Sequence, residues 1–151
     1  FDIVFKSEEQ QHSFNFPYQV GENGDNPRLG QVRKHTVQPY DILILASDGL
    51  WDNVYNERVV KEMKRFLQIE GEDKSTSKKD NQIENPIKSS KLQVKNLQGL
   101  SDHITKVAEV LSLSDSYESP FAAKSRMLYL GGKHDDITLV VAQVLERSAK
   151  F

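Results

Sequence analysis

The sequence contains no cysteine, and that one absence removes disulfides, thiolate zinc sites and a cysteine nucleophile together. It has no large excess of either charge: 20 basic against 22 acidic residues leave a formal −2, so nothing draws the chain generally to nucleic acid or to an anionic membrane. No apolar run approaches the ~20 residues that a membrane helix needs. Apolar residues are not abundant either, at 37% against 28% charged, so the core of these 151 residues must come from a few dense segments. The length is that of one ordinary domain. The opening Phe1-Asp2-Ile3-Val4-Phe5 lacks both an initiator methionine and the positive start of a signal peptide. It reads as the inside of a strand, and the chain is expected to be a piece of a longer protein, with any targeting signal upstream.

Two dense segments carry the chemistry. Asp41-Ile42-Leu43-Ile44-Leu45-Ala46-Ser47-Asp48-Gly49-Leu50-Trp51-Asp52-Asn53 runs an apolar strand straight into a carboxylate and a glycine. Gly131-Gly132-Lys133-His134-Asp135-Asp136 leads instead into the apolar strand Ile137 to Val144. A residue just after one strand and a residue just before its antiparallel neighbour reach the same edge of a sheet. Asp48 and Asp135 are therefore expected to meet on one rim. Paired carboxylates repel unless a cation lies between them, and oxygen-only ligands select hard ions such as magnesium, manganese or calcium over zinc. The alternative for Asp48 is a plain Asp-Gly turn. For Asp136 it is a solvent-facing carboxylate, and for Asp52 a hydrogen-bonding role in the Asp48 loop.

Between these segments the pattern is mixed. Phe1 to Phe5 and Gln11 to Phe16 read as strands, the second alternating polar with aromatic after His12 and ended or placed at an edge by Pro17. Gly21 to Gly30 reads as a loop. Val32 to Pro39 alternates weakly and, through a turn at Tyr40-Asp41, predicts a hairpin with Ile42 to Ala46. Asn56 is placed to cap a helix with Val59, Val60, Met63, Phe66 and Leu67 on its buried face, and Ser101 to cap a second with Ile104, Val107, Ala108 and Leu111. A short helical piece follows Pro120, which suits a first turn. Residues 71–98 are polar and read as a mobile insertion. Strands that are apolar throughout imply cover on both faces. Strands flanking a helical block point to an α+β layered sandwich of antiparallel sheets rather than to a parallel doubly wound fold.

With Asp48-Gly49-Leu50-Trp51-Asp52 and Gly132-Lys133-His134-Asp135-Asp136-Ile137-Thr138 each attached to an apolar strand, the chain resembles the metal-dependent type 2C protein serine/threonine phosphatases. Glu9-Gln10-Gln11-His12 before Phe14-Asn15-Phe16-Pro17, and Ser119-Pro120-Phe121-Ala122, are similar to the small mitochondrial-type branch. The resemblance covers the chain apart from the polar insertion. It implies a sandwich of two antiparallel sheets flanked by helices, two manganese or magnesium ions at one end, and hydrolysis of phosphoserine or phosphothreonine in phosphoprotein substrates by a metal-bridged hydroxide. By motif, Asp48 and Asp135 are the implied metal ligands. Asp136 stands where the family often has asparagine, and Asp52 matches a position linked with a weaker third metal in some members.

The same resemblance implies that the family's other metal carboxylates, its Asp-Gly-x-Gly-Gly segment, its phosphate-binding arginine and its proposed histidine acid belong to an amino-terminal half. Residues 1–147 are accordingly expected to be the carboxy-terminal part of one phosphatase domain, inactive alone and able to self-associate through uncovered sheet edges. Mitochondrial or cytoplasmic placement rests on the subfamily resemblance alone.

Other features have plainer readings. His12, His35 and His103 lack zinc spacing, and His134 is expected to be an exposed loop residue. Gly131-Gly132-Lys133 reads as a tight turn, because a nucleotide-binding loop needs G-x-x-x-x-G-K-[ST] ahead of a helix and here a strand follows. Trp51, Phe14, Phe16 and Phe121 are expected in the core. Two functional alternatives to the phosphatase remain open: a pseudophosphatase or binding module that keeps the fold without turnover, and a calcium-binding structural domain.

Overall fold

The computed structural model describes residues 2–72, 93–126 and 128–146. Its centre is an antiparallel pair, β3 (Ile42–Ala46) with β4 (Leu139–Gln143), in unbroken register from Ile42 opposite Gln143 to Ala46 opposite Leu139. A second, smaller pair is β1 (Gln11–Ser13) with β2 (Phe16–Pro17). Four helices complete the described architecture: α1 (Asp48–Trp51), α2 (Asn56–Glu72), α3 (Leu97–Ser112) and α4 (Pro120–Lys124). A 3-10 turn, Pro27–Leu29, interrupts the loop expected between Gly21 and Gly30.

The core forms where α2 and α3 meet the inner face of β3–β4. Leu50, Val54, Val59, Met63, Val94, Leu100, Ile104 and Ala108 are buried, and Ile42, Ile44, Ala46, Leu139 and Val141 pack against them. The fully buried Leu50, Leu100 and Ile104 contribute about 1.5–3 kcal/mol each by leaving water. Helical spacing placed Val59, Met63, Phe66 and Leu67 of α2 and Ile104, Ala108 and Leu111 of α3 against the core, whereas Val60 and Val107 are half-buried outside it. α4 also starts as its sequence requires, with Pro120 in the first turn and the Ser119 side chain accepting from Ala122 N–H.

Several local expectations are corrected. Residues 2–10 carry no strand. Gln11 to Phe16 is two short strands joined by a turn rather than one strand, because Asn15 takes the left-handed conformation (φ 56°) that asparagine tolerates. Val32 to Pro39 forms no strand, so the expected hairpin with β3 is absent. Among the described residues β3 pairs with β4 alone, although the Tyr40-Asp41 turn is present. α1 replaces the expected Asp48 loop. α3 starts a turn earlier than Ser101, capped by the Asn96 side chain, which accepts from Gly99 N–H. Ser101 is inside the helix and donates its hydroxyl to Leu139 O at 3.1 Å. Asn56 is the first residue of α2, and its Oδ1 accepts from Lys6 Nζ at 3.0 Å.

The polar insertion expected over 71–98 lies largely outside the described residues. Its end does not fit that expectation: Val94 is buried in the core, with its N–H donating to Gln143 Oε1 at 2.9 Å, and Leu97 opens α3. Cover on both faces of the main sheet is also corrected. Successive strand residues point to opposite sides, and Leu43, Leu45 and Val140 on the outer side are exposed among the described residues. Phe14 and Phe16 are exposed rather than core and Trp51 is half-buried against the core, whereas Phe121 is buried.

Glu62 ties α2 to α3. Its side chain is 4% exposed and accepts from Arg58 Nε at 2.6 Å and from His103 Nε2 at 3.0 Å. Burial pushes its carboxyl up, but the His103 hydrogen bond and the Arg58 charge together outweigh burial and hold it below the ordinary value of 4.5. A carboxylate lowered on folding stabilises above its unfolded pKa, and that stability is lost as pH falls through the folded value. Glu62→Gln is therefore expected to cost about 1–2 kcal/mol at neutral pH. It should also weaken the fall in stability between roughly pH 5 and pH 3. Urea unfolding of both proteins across that range checks the difference, and parallel curves would contradict it.

Candidate metal centre

β3 ends at Ala46, and the chain turns at once into α1, whose first residue is Asp48. The turn lies hard against the segment before β4. A Cβ on Gly49 would stand 2.4 Å from the Asp136 carbonyl oxygen and 3.2 Å from Ile137 Cγ1, so only glycine permits the approach. Ser47 and Asn53 then fasten the two segments. The Ser47 hydroxyl donates to Asp136 O at 2.8 Å and accepts from Thr138 N–H at 3.0 Å. Asn53, fully buried, donates to Gly49 O at 2.9 Å and Lys133 O at 2.8 Å, and accepts from Lys133 N–H at 2.7 Å. The Gly131-Gly132 turn is held from behind by the Ser119 hydroxyl, which donates to Gly131 O at 2.7 Å; Gly131 adopts φ 80°.

These ties bring three carboxylates together. One oxygen from each of Asp48, Asp52 and Asp135 lies within 4.8 Å of the other two. Asp48 is the open member, with 69% of its side chain exposed, against 31% for Asp135 and 12% for Asp52. Asp136 stays outside the group. Its side chain is absent from the cluster while its main chain serves the scaffold, the N–H donating to Asp135 Oδ1 and the carbonyl accepting from Ser47.

Lys133 occupies the middle. Its Nζ lies 2.6 Å from Asp52 Oδ2, 2.9 Å from Asp135 Oδ2 and 3.4 Å from Asp48 Oδ2, with the Phe121 ring centroid 4.9 Å away. Burial, helped by the neighbouring Asp48 charge, pushes the Asp52 carboxyl up against the pull of Lys133, and its pKa is raised. At Asp135 the Lys133 hydrogen bond dominates and holds the carboxyl below its usual range. Burial acts to lower the Lys133 pKa, yet the hydrogen bonds to Asp52 and Asp135 outweigh it and the pKa is raised. The ammonium therefore stays charged. Three carboxylates and one ammonium leave a formal −2, so the cluster keeps a surplus of negative charge that attracts a divalent ion. The donor set is all oxygen and partly open, so it fits a hard ion completed by water and other ligands.

The sequence points to Asp48, Asp52 and Asp135, and the structure gathers those three. It does not foretell Lys133, Ser47 or Asn53; the one available signal was that each adjoins a motif as a polar residue. The histidines stand elsewhere: His12 meets Asp25 at 2.9 Å, His103 meets Glu62, His35 stacks on Phe5, and His134 is exposed. A groove of about 740 Å³ between the amino-terminal segment and α2, lined by Ile3, Val60, Lys61 and Lys64 among others, touches none of the clustered acids.

Comparison with known proteins defines the class first. The fold is shared with the photosystem II phosphatase PBCP at a TM-score of 0.67, with 20% identity, over 93% of this chain and 51% of that one. No family model matches the chain. It is 30% identical over 155 residues to the protein phosphatase PTC7 homolog fig of Drosophila ananassae, covering 94% of this chain and 40% of the relative. It is 32% identical over 146 residues to the probable protein phosphatase 2C 55 of Arabidopsis thaliana, covering 93% of this chain and 26% of the relative. The chain belongs to the type 2C protein phosphatase family. It spans less than half the length of these relatives.

Proposed function

We propose that this chain forms the carboxy-terminal part of a phosphatase domain that hydrolyses phosphoserine and phosphothreonine in proteins, with manganese or magnesium as cofactor. The observation that carries this reading is the convergence of Asp48, Asp52 and Asp135 on one rim in a chain whose relatives are named protein phosphatases. Asp48 and Asp135 would hold a divalent ion directly, with Asp52 as a further candidate, while Asp136 stands outside the cluster. Such ions supply water activation and screening of the phosphate charge. The protein's own part is to keep like charges together: Ser47 and Asn53 fix the main chain on either side, and Asp48 remains open to the solvent from which a phosphate arrives. Taken alone, the 151 residues would turn over little or no substrate, because half a ligand set leaves an ion mostly to water.

A second reading has one observation in its favour. Lys133 already neutralises part of the cluster, as a fold-retaining pseudophosphatase would allow. Phosphoserine and phosphothreonine peptides offered to the intact protein with manganese, magnesium or calcium separate the readings. Phosphate release with manganese or magnesium and none with calcium is the expected result. Manganese binding without release would replace the phosphatase by a binding module, and a preference for calcium binding would favour a structural calcium site.

A further inference from the structure

Resting on the metal reading above, we infer that Lys133 is a tethered competitor of the divalent ion: its ammonium holds the carboxylate cluster when no metal is bound and must leave before an ion can enter. The geometry requires a choice. Nζ lies 2.6, 2.9 and 3.4 Å from oxygens of Asp52, Asp135 and Asp48, which is the volume an ion coordinated by the same three side chains would fill. A divalent ion needs these oxygens at roughly 2.0–2.6 Å. Two cations a few ångström apart in a partly desolvated site repel strongly.

The side chain is built to exchange. The Lys133 main chain is pinned on both sides by Asn53, whereas its four-carbon stem is flexible, so the charge can swing out without disturbing the turn. Its grip is also uneven. Contact is shortest to the most buried acid, Asp52, and longest to the exposed Asp48, leaving Asp48 as the point of first capture for an incoming ion. While resident, the ammonium prevents the three like charges from springing apart, so the ligands are already assembled when metal arrives.

Manganese titration calorimetry on the intact protein tests this, with circular dichroism confirming the fold of each variant. Lys133→Met is expected to bind manganese about tenfold more tightly or better, because a competing charge is gone. Equal or weaker binding by a folded Lys133→Met would overturn the inference and make Lys133 a positioning residue instead. Asp48→Asn serves as the control: unaltered manganese affinity there would overturn the metal reading itself. Should Lys133→Met fail to fold, the unaltered protein still decides. The rate at which a limiting amine-acetylating reagent modifies Lys133, read by mass spectrometry, should rise several-fold at saturating magnesium. A Lys133 equally protected with and without magnesium would mean that lysine and ion coexist, and the competitor role would be wrong.

Discussion

Conversion of both Asp48 and Asp135 to asparagine is expected to lower phosphopeptide turnover by the intact protein about 10³-fold or more, with little change in melting temperature. Asparagine keeps the volume and one oxygen of each side chain but removes its charge. The formal charge of the cluster then falls from −2 to zero, since Asp52 and Lys133 balance one another. A divalent ion loses its attraction while the Ser47 and Asn53 ties, which use main-chain atoms on the partner segment, are untouched. Steady-state kinetics with added manganese, paired with a thermal melt, check both halves. Turnover close to that of the unaltered protein would remove these two acids from the chemistry.

The second large effect concerns Asn53. Asn53→Ala deletes a fully buried amide that makes three hydrogen bonds, leaving Gly49 O, Lys133 O and Lys133 N–H without that partner and a small void where the amide stood. A loss of about 3 kcal/mol in unfolding free energy follows from unpaired buried groups and lost packing. Manganese affinity should fall with it, because the Lys133 to Asp135 segment would no longer be held against α1. Urea unfolding and metal titration on the same samples make the comparison. A stability change under about 1 kcal/mol would show that the staple is redundant.

What the sequence disclosed and what it hid divide along a physical line. β3, β4 and the meeting of Asp48 with Asp135 were legible because dense apolar runs have few ways to be buried, and opposite strand directions then determine which ends coincide. The buried faces of α2 and α3 were legible for the same reason. The absence of a second partner for β3 among the described residues was not, since the weak alternation of Val32 to Pro39 next to a turn reads locally as a hairpin arm. Asn96 does not read as a cap because it sits in a polar run, some two turns before Ile104, where the regular apolar repeat begins. The exposed outer face of β3 could not be told from a covered one, as leucine at 43 and 45 reads apolar in either case. Lys133 was the costliest omission. A long flexible side chain carries no periodicity, and its destination is set by tertiary charge rather than by neighbours in sequence.

The pairing of Ile42 with Gln143 has a kinetic side. These partners are separated by most of the chain, so the ladder that creates the rim closes a very long loop and belongs among the last contacts to form. On a ribosome, Asp48 emerges well before Asp135 and must wait for β4 to be synthesised. The acidic rim is therefore a late product of folding, and no ion held jointly by its members can serve as the seed from which this fold grows.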